Sequence, residues 1–294
     1  MERRDDEALL NELRTRLEEN RIAVANLRTM TQNLEALNEK LRQSEALKSD
    51  FLSNIRNEIN NPLMSIMGLA KQVVDGKADA ETARNMAGTI YHEAFDLDFQ
   101  LRNIFAAAEL EAGEAALSVA QVDVASMVRG LITAFGHKAS EKNVAVLFEP
   151  GEGPLSFKTD PDKLQKVLAN LLANAIEFNR EGKRVIIKAW RDSDRLNIAI
   201  IDEGIGIPEA DRKKVFDRFV QLDRGVRKRH KGHGLGLSIT RALVEMLDGT
   251  VTLSDAEGQG SVFTVTVAEL GTGRAVDVTS EDGNEFIFEG GTQF

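Results

Sequence analysis

The chain contains no cysteine. Disulfides, thiolate nucleophiles and thiolate metal sites are therefore excluded, and the composition is compatible with a reducing compartment. Histidine is scarce as well: His92, His137, His230 and His233 are the full set, without metal-site spacing. No apolar run approaches the roughly 18 residues that a membrane span needs, and no signal peptide is visible. The expectation is a cytoplasmic chain, with any membrane sensor lying outside it. A net charge of −10 and a pI near 5.1 argue against nucleic acid as a partner. What is present is 294 residues, 42% hydrophobic and 29% charged, enough for more than one folded domain.

Residues 1–47 hold neither glycine nor proline and read as one polar helix. Leu10, Leu13, Leu17, Asn20, Val24 and Leu27 alternate in threes and fours, and Met30, Leu34, Leu37 and Leu41 continue the seam. Two threes in a row, from Val24 through Leu27 to Met30, are a stammer that overwinds a coiled coil locally. A seam this narrow is buried by a second helix, which predicts a parallel dimer. The seam runs unbroken into a helix from Phe51 to Leu69, where Phe51, Leu52, Ile55, Ile59, Leu63 and Ile66 form one apolar stripe. Asn57 and Asn61 lie opposite that stripe, one turn apart, with Glu58 beside them. Pro62 removes the N–H that the Glu58 carbonyl would accept, which weakens this turn. Val74-Asp75-Gly76 offers a stop, and a second helix covers about Asp79 to Glu111. Residues 48–115 are thus a helical hairpin, and two such hairpins make a four-helix bundle.

From 118 to 270 the pattern alternates strands and helices, and it predicts an α/β sandwich with a mixed sheet and helices on one face. Val122 to about Lys142 reads mostly as helix, Val144–Glu149 as strand, and Asp160-Pro161 opens a helix that runs to about Asn179. Strands follow at Val185–Trp190 and Leu196–Ile201, a helix from Gly234 to about Leu247, and closing strands at 250–254 and 261–267. The fold class is therefore multidomain α and α+β. Residues 271–294 form an acidic, glycine-rich tail, expected to be disordered.

Four short signals sit in order between 160 and 240. Asn170 and Asn174 share one helix face, and an Asn carbonyl oxygen can meet a cation. Asp202-Glu-Gly204-Ile-Gly206 ends a strand in an acceptor carboxylate, beside glycines that admit a ligand close to the backbone. Phe216 and Phe219 are apolar residues within a polar loop. Gly232-His-Gly234-Leu235-Gly236-Leu237 is a glycine-rich turn opening a helix, where free N–H groups and a positive dipole end face phosphate.

Taken together, in this order and spacing, the four resemble the N, G1, F and G2 boxes of the histidine-kinase ATP-binding domain, of the gyrase/Hsp90/histidine kinase/MutL type. The Phe51–Leu69 helix resembles the H-box of sensor histidine kinases through Phe51, Leu52, Asn54, Glu58, Pro62 and Leu63. The resemblance spans about residues 45–268. It implies ATP and Mg²⁺ as cofactors, with Asn174 on the metal and Asn170 nearby. Asp202 would meet the adenine amino group, and Gly204 and Gly206 would shape its pocket. Gly232, Gly234, Leu235, Gly236 and Leu237 would hold phosphate, with Phe216 and Phe219 anchoring a mobile lid. Arg224, Arg227, Lys228, Arg229 and Lys231 concentrate positive charge in that lid. Glu177 departs from the family's frequent Lys near the phosphates, and Arg56 from its usual Ser.

The largest departure is Asn57, at the phosphoacceptor histidine position. A carboxamide lone pair is delocalised into its carbonyl, so autophosphorylation there is not expected. Three readings follow. A degenerate kinase would act as a scaffold, or phosphorylate a partner histidine kinase in trans. A phosphatase would use Glu58 and Asn61 against the aspartyl phosphate of a response-regulator receiver domain. An acceptor-site mutant of an active kinase would have lost a natural histidine at 57. A homodimer through coiled coil and hairpin is common to all three.

Overall fold

The computed structural model describes residues 16–17, 20–21, 24, 26–39, 42, 59–76, 78–221 and 234–271. They belong to two units, 1–57 and 58–294. In the first unit, residues 26–39 are helical. Leu27, Met30, Leu34 and Leu37 each stand 62–65% exposed, so one chain leaves the seam uncovered. Leu10, Leu13 and Leu41 lie outside the described residues, as does the stretch 51–58 with Asn57 and Glu58.

The second unit begins with helical residues 59–74, here α1, which stop at a turn where Gly76 takes φ +66°. Helix α2 spans Ala80–Glu111. Asp79 caps it by accepting from the Thr82 N–H at 2.7 Å. Gly113, at φ +68°, closes the hairpin where a left-handed residue ends a helix cheaply.

The sandwich follows in the order β1 (Ala120–Asp123), α3 (Val124–Ala134), α4 (Gly136–Glu141), β2 (Ala145–Pro150), β3 (Ser156–Thr159), α5 (Pro161–Glu177), β4 (Arg184–Asp192) and β5 (Arg195–Asp202). Two short 3₁₀ turns lead to α6 (Gly236–Met246), β6 (Gly249–Asp255) and β7 (Ser261–Ala268). The long helix expected from Val122 is therefore corrected in two ways. Residues 120–123 form a strand, because they pair antiparallel with β3. The helical stretch also breaks at Phe135, between α3 and α4, where the backbone leaves the α region at φ −89°, ψ 2°.

The main sheet has the order β2-β4-β5-β7-β6, with only β2–β4 parallel. Its alternation puts Val185, Ile187, Leu196, Ile198, Ile200, Val265 and Val267 on one buried face. Leu164, Val167, Leu168, Leu171 and Leu172 of α5, with Ile239, Leu243 and Val244 of α6, complete this core. Thr250 and Thr252 stay exposed on the opposite face, and Thr266 Oγ1 donates to Asn197 Oδ1 there at 2.7 Å. The packing brings the C-terminal end of β5, the polar face of α5 and the start of α6 to one side of the module.

Candidate functional site

A cavity of about 580 Å³ opens at that side, bounded by α5, the end of β5, the start of α6 and one face of α2. Asp202, at 6% exposure, holds its floor. Its Oδ1 accepts from the Gly204 N–H at 2.9 Å and the Ser261 N–H at 3.2 Å. Burial pushes the carboxyl above the ordinary aspartate value of 3.8, and the two N–H bonds offset only part of that. Among the described residues no donor reaches Oδ2. A side chain at Gly204 would collide with the Phe178 carbonyl oxygen, and one at Gly260 with the Asp202 carbonyl oxygen. Ile205, 55% exposed, and Phe178 line the cavity beside Asp202 and give it an apolar surface suited to a flat heterocycle.

The opposite end is built from backbone. Helix α6 starts after Leu235 without a side-chain cap, and among the described residues no side chain accepts from its first-turn N–H groups. Gly234 takes φ +68°, and a Cβ there would press on the Phe219 and Val220 backbone. The Phe219 N–H donates to the Gly234 carbonyl at 3.0 Å, with Phe219 itself left-handed at φ +63°. Phe216 is buried with its ring edge-on to Phe263, centroids 6.3 Å apart. Gly232, His233 and the lid cations from Arg224 to Lys231 lie outside the described residues.

Asn170, 2% exposed, spans the two ends. Its Nδ2 donates to the Gly236 carbonyl at 3.3 Å, and its Oδ1 accepts from Asn103 Nδ2 at 2.8 Å. Asn174, one turn on, lines the cavity with no hydrogen bond from its side chain among the described residues. Asp96, Glu141, Glu177 and Asp202 supply carboxylates to the lining, against Lys138 and Lys142. Lys138 pairs with Asp96 at 3.0 Å, and Lys142 donates to the Glu177 carbonyl. Among the described residues no group of three His, Cys, Asp or Glu could hold a metal ion.

The structure thus brings Asn170, Asn174, Asp202, Gly206, Gly234, Leu235, Gly236 and Leu237 to one cavity. Gly204 donates to Asp202, while Phe216 packs on Phe263 and the Phe219 N–H holds the Gly234 carbonyl. Asn61 stands apart from them, exposed on α1. The His92 ring stacks on that of His137, centroids 4.3 Å apart. Sequence reasoning missed Gly260 and Ser261, although the glycine-rich turn at 257–260 is their signal. It also missed the α2 wall. There the signal is Asp96, Gln100 and Asn103, polar at i, i+4 and i+7 beside an apolar face.

Fold and site together define an α/β sandwich of the ATP-binding type joined to a helical hairpin. The family described as "Histidine kinase-, DNA gyrase B-, and HSP90-like ATPase" matches residues 159–270, and the "His Kinase A (phospho-acceptor) domain" matches 47–113. The chain belongs to the two-component sensor histidine kinase family and carries its catalytic core. It is 30% identical over 230 residues to the circadian input-output histidine kinase CikA of Synechococcus elongatus, covering 77% of this chain and 30% of that one. It is 30% identical over 239 residues to the signal transduction histidine-protein kinase BarA of Escherichia coli K12, covering 79% and 26%. The chain therefore spans at most about 30% of the length of these two relatives. In fold it is similar to full-length ShkA, solved with AMPPNP, at TM-score 0.53 and 24% identity over 77% of this chain and 46% of that one. It is also similar to the Acinetobacter baumannii histidine kinase AdeS, at TM-score 0.50 and 22% identity over 73% and 98%. Among the described residues no helix is long and apolar enough to cross a membrane.

Proposed function

We propose that this chain binds MgATP and signals as a dimeric two-component module that does not phosphorylate itself at the usual helix position. The observation that carries this reading is the meeting of the Asp202 carboxylate, the Asn174 carboxamide and the uncapped start of α6 on one cavity of about 580 Å³. The donor set fits a magnesium nucleotide. Asp202 Oδ2 would accept from an exocyclic amine, and the Gly234–Leu237 backbone would hold phosphate. Asn174 would give one oxygen to Mg²⁺, which takes most of its remaining ligands from phosphate and water.

Asn57 sets the limit on chemistry. With no nucleophilic nitrogen there, nucleotide occupancy is transmitted by conformation, as a scaffold, or by phosphoryl transfer to a partner histidine kinase in trans. The test is incubation with γ-labelled ATP. The wild-type chain is expected to bind the nucleotide with Mg²⁺ and to retain no acid-labile label, whereas Asn57→His acquires it. Failure of the wild type to bind ATP at millimolar concentration would falsify the reading. Acid-labile label on the wild type would reveal another acceptor.

Asn61 supports a second reading. It is exposed on α1, one turn after Glu58, in the spacing of the family's phosphatase motif. There the carboxamide would orient a water toward the aspartyl phosphate of a receiver domain. Loss of that phosphate in the presence of the chain, abolished by Asn61→Ala, is the expected outcome. An unchanged rate in the variant would exclude Asn61.

A further inference from the structure

Helix α2 forms a wall of the cavity and brings to it side-chain oxygens that lack a hydrogen-bond partner among the described residues. The polarity of an amide relay there is set from its far end. The Gly236 carbonyl can only accept, so Asn170 turns Nδ2 to it. Asn170 Oδ1 therefore faces Asn103 and accepts from its Nδ2 at 2.8 Å. Among the described residues, Asn103 is left with its Oδ1 buried and without a hydrogen-bond partner. Nearly one turn earlier, Gln100 Oε1 is buried and likewise unpartnered among the described residues. Both residues line the cavity together with Asn174. A third acceptor on the same stripe, Asp96 Oδ1, is answered by Lys138 Nζ at 3.0 Å, so the orphaned pair is Gln100 and Asn103.

Folded proteins leave few buried oxygens without a donor, and one explanation is a ligand that supplies it. The donors that belong beside Asn170 and Asn174, on the reading of this cavity as a nucleotide site, are waters bound to Mg²⁺. That ion dehydrates reluctantly and keeps several waters, whose hydrogens need acceptors. Neutral carboxamide oxygens can take those hydrogens without adding negative charge beside a triphosphate. We propose that Asn103, seconded by Gln100, accepts from the water shell of the nucleotide-bound Mg²⁺. The nucleotide site is then shared between the hairpin and the ATPase module, and bound MgATP holds α2 against that module. This inference rests on the nucleotide reading above.

The test uses the full chain and displacement of a fluorescent ATP analogue by ATP, with Mg²⁺ and then with EDTA. Asn103→Leu and Gln100→Leu keep the approximate side-chain size and remove the acceptor; Asn103→Leu also removes the Nδ2 donor to Asn170 Oδ1, so Gln100→Leu is the cleaner arm. Each is expected to weaken MgATP by about 5- to 10-fold while changing metal-free ATP by less than about twofold, the scale of one hydrogen bond through water. Thermal unfolding of each variant confirms that the fold is kept, and the two metal conditions compare the same folded protein. Equal loss with and without Mg²⁺, unchanged affinity, or tighter binding would overturn the role given to α2. A wild-type chain that binds no ATP under either condition would instead overturn the nucleotide reading itself.

Discussion

At the scale of single residues, Asp202 carries the most informative conflict. Burial raises its pKa above 3.8, so the fold tolerates the charged form at a cost. A carboxyl with a raised folded-state pKa contributes stability only at low pH, and that contribution is lost as pH rises through the folded value. Two consequences follow at neutral pH. Asp202→Asn is expected to leave thermal stability unchanged or raised, since an amide oxygen can still accept from Gly204 and Ser261. The same variant should weaken ATP by about tenfold to a hundredfold, because an amide NH₂ then faces a donor. Calorimetry and nucleotide titration separate the two effects. For the wild type, affinity should fall with acidification beginning above the usual aspartate range, and the acid limb should vanish in Asp202→Asn. An acid limb preserved in the variant would show that another group titrates. Asp202 itself was legible in the sequence because a strand ended in it beside two glycines. Its second N–H donor, Ser261, was not, because β7 reaches it only through the sheet.

At the scale of elements, α5 is the piece on which the site is mounted. Asp160, at its N-terminus, accepts from the Lys163 N–H at 3.0 Å, the Lys163 ammonium at 3.0 Å and the Ser118 N–H at 2.7 Å. Burial works upward on this carboxyl, but the bonds from Ser118 and Lys163 outweigh it and hold the pKa below 3.8. A depressed pKa gives stability that is present above the unfolded value, about 3.9, and is lost as pH falls through the folded one. Asp160→Ala should cost about 2 kcal/mol at pH 7, a lost cap plus an abandoned ammonium. That cost should shrink as the medium is acidified from pH 7 to well below 3.8. Denaturant unfolding monitored by circular dichroism at both pH values checks this, and a cost independent of pH would contradict the ionic account. The cap and the proline after it were readable from Asp160-Pro161 alone, because capping is a local interaction. The strand at 120–123 was not, because four residues are too short a run to establish a period and their hydrogen bonds go to β3, far along the chain.

At the scale of the whole molecule, the apolar residues that one chain leaves uncovered decide the assembly. Leu27, Met30, Leu34 and Leu37 are exposed on the N-terminal helix, and Leu63, Met64, Met67 and Phe105 on the hairpin. A seam of this kind is worth burying at about 25 cal/mol per Å² of apolar surface. Sedimentation should give a dimer, and Leu27→Glu with Leu34→Glu should raise its dissociation constant by about tenfold or more, by placing like charges in the seam. A monomer in the wild type at micromolar concentration would contradict the expected arrangement. By itself the amino-acid sequence determined the elements and their chemistry: period-3.5 and period-2 patterns, caps, glycine turns, and the amide at position 57. All of these act over a few residues, where backbone sterics and hydrogen bonding are local. Only the tertiary structure decided which of them share a cavity, that α2 walls it, and which way the Asn103–Asn170–Gly236 relay points. Those facts depend on packing between segments far apart in the chain, and no local preference encodes the distance between them.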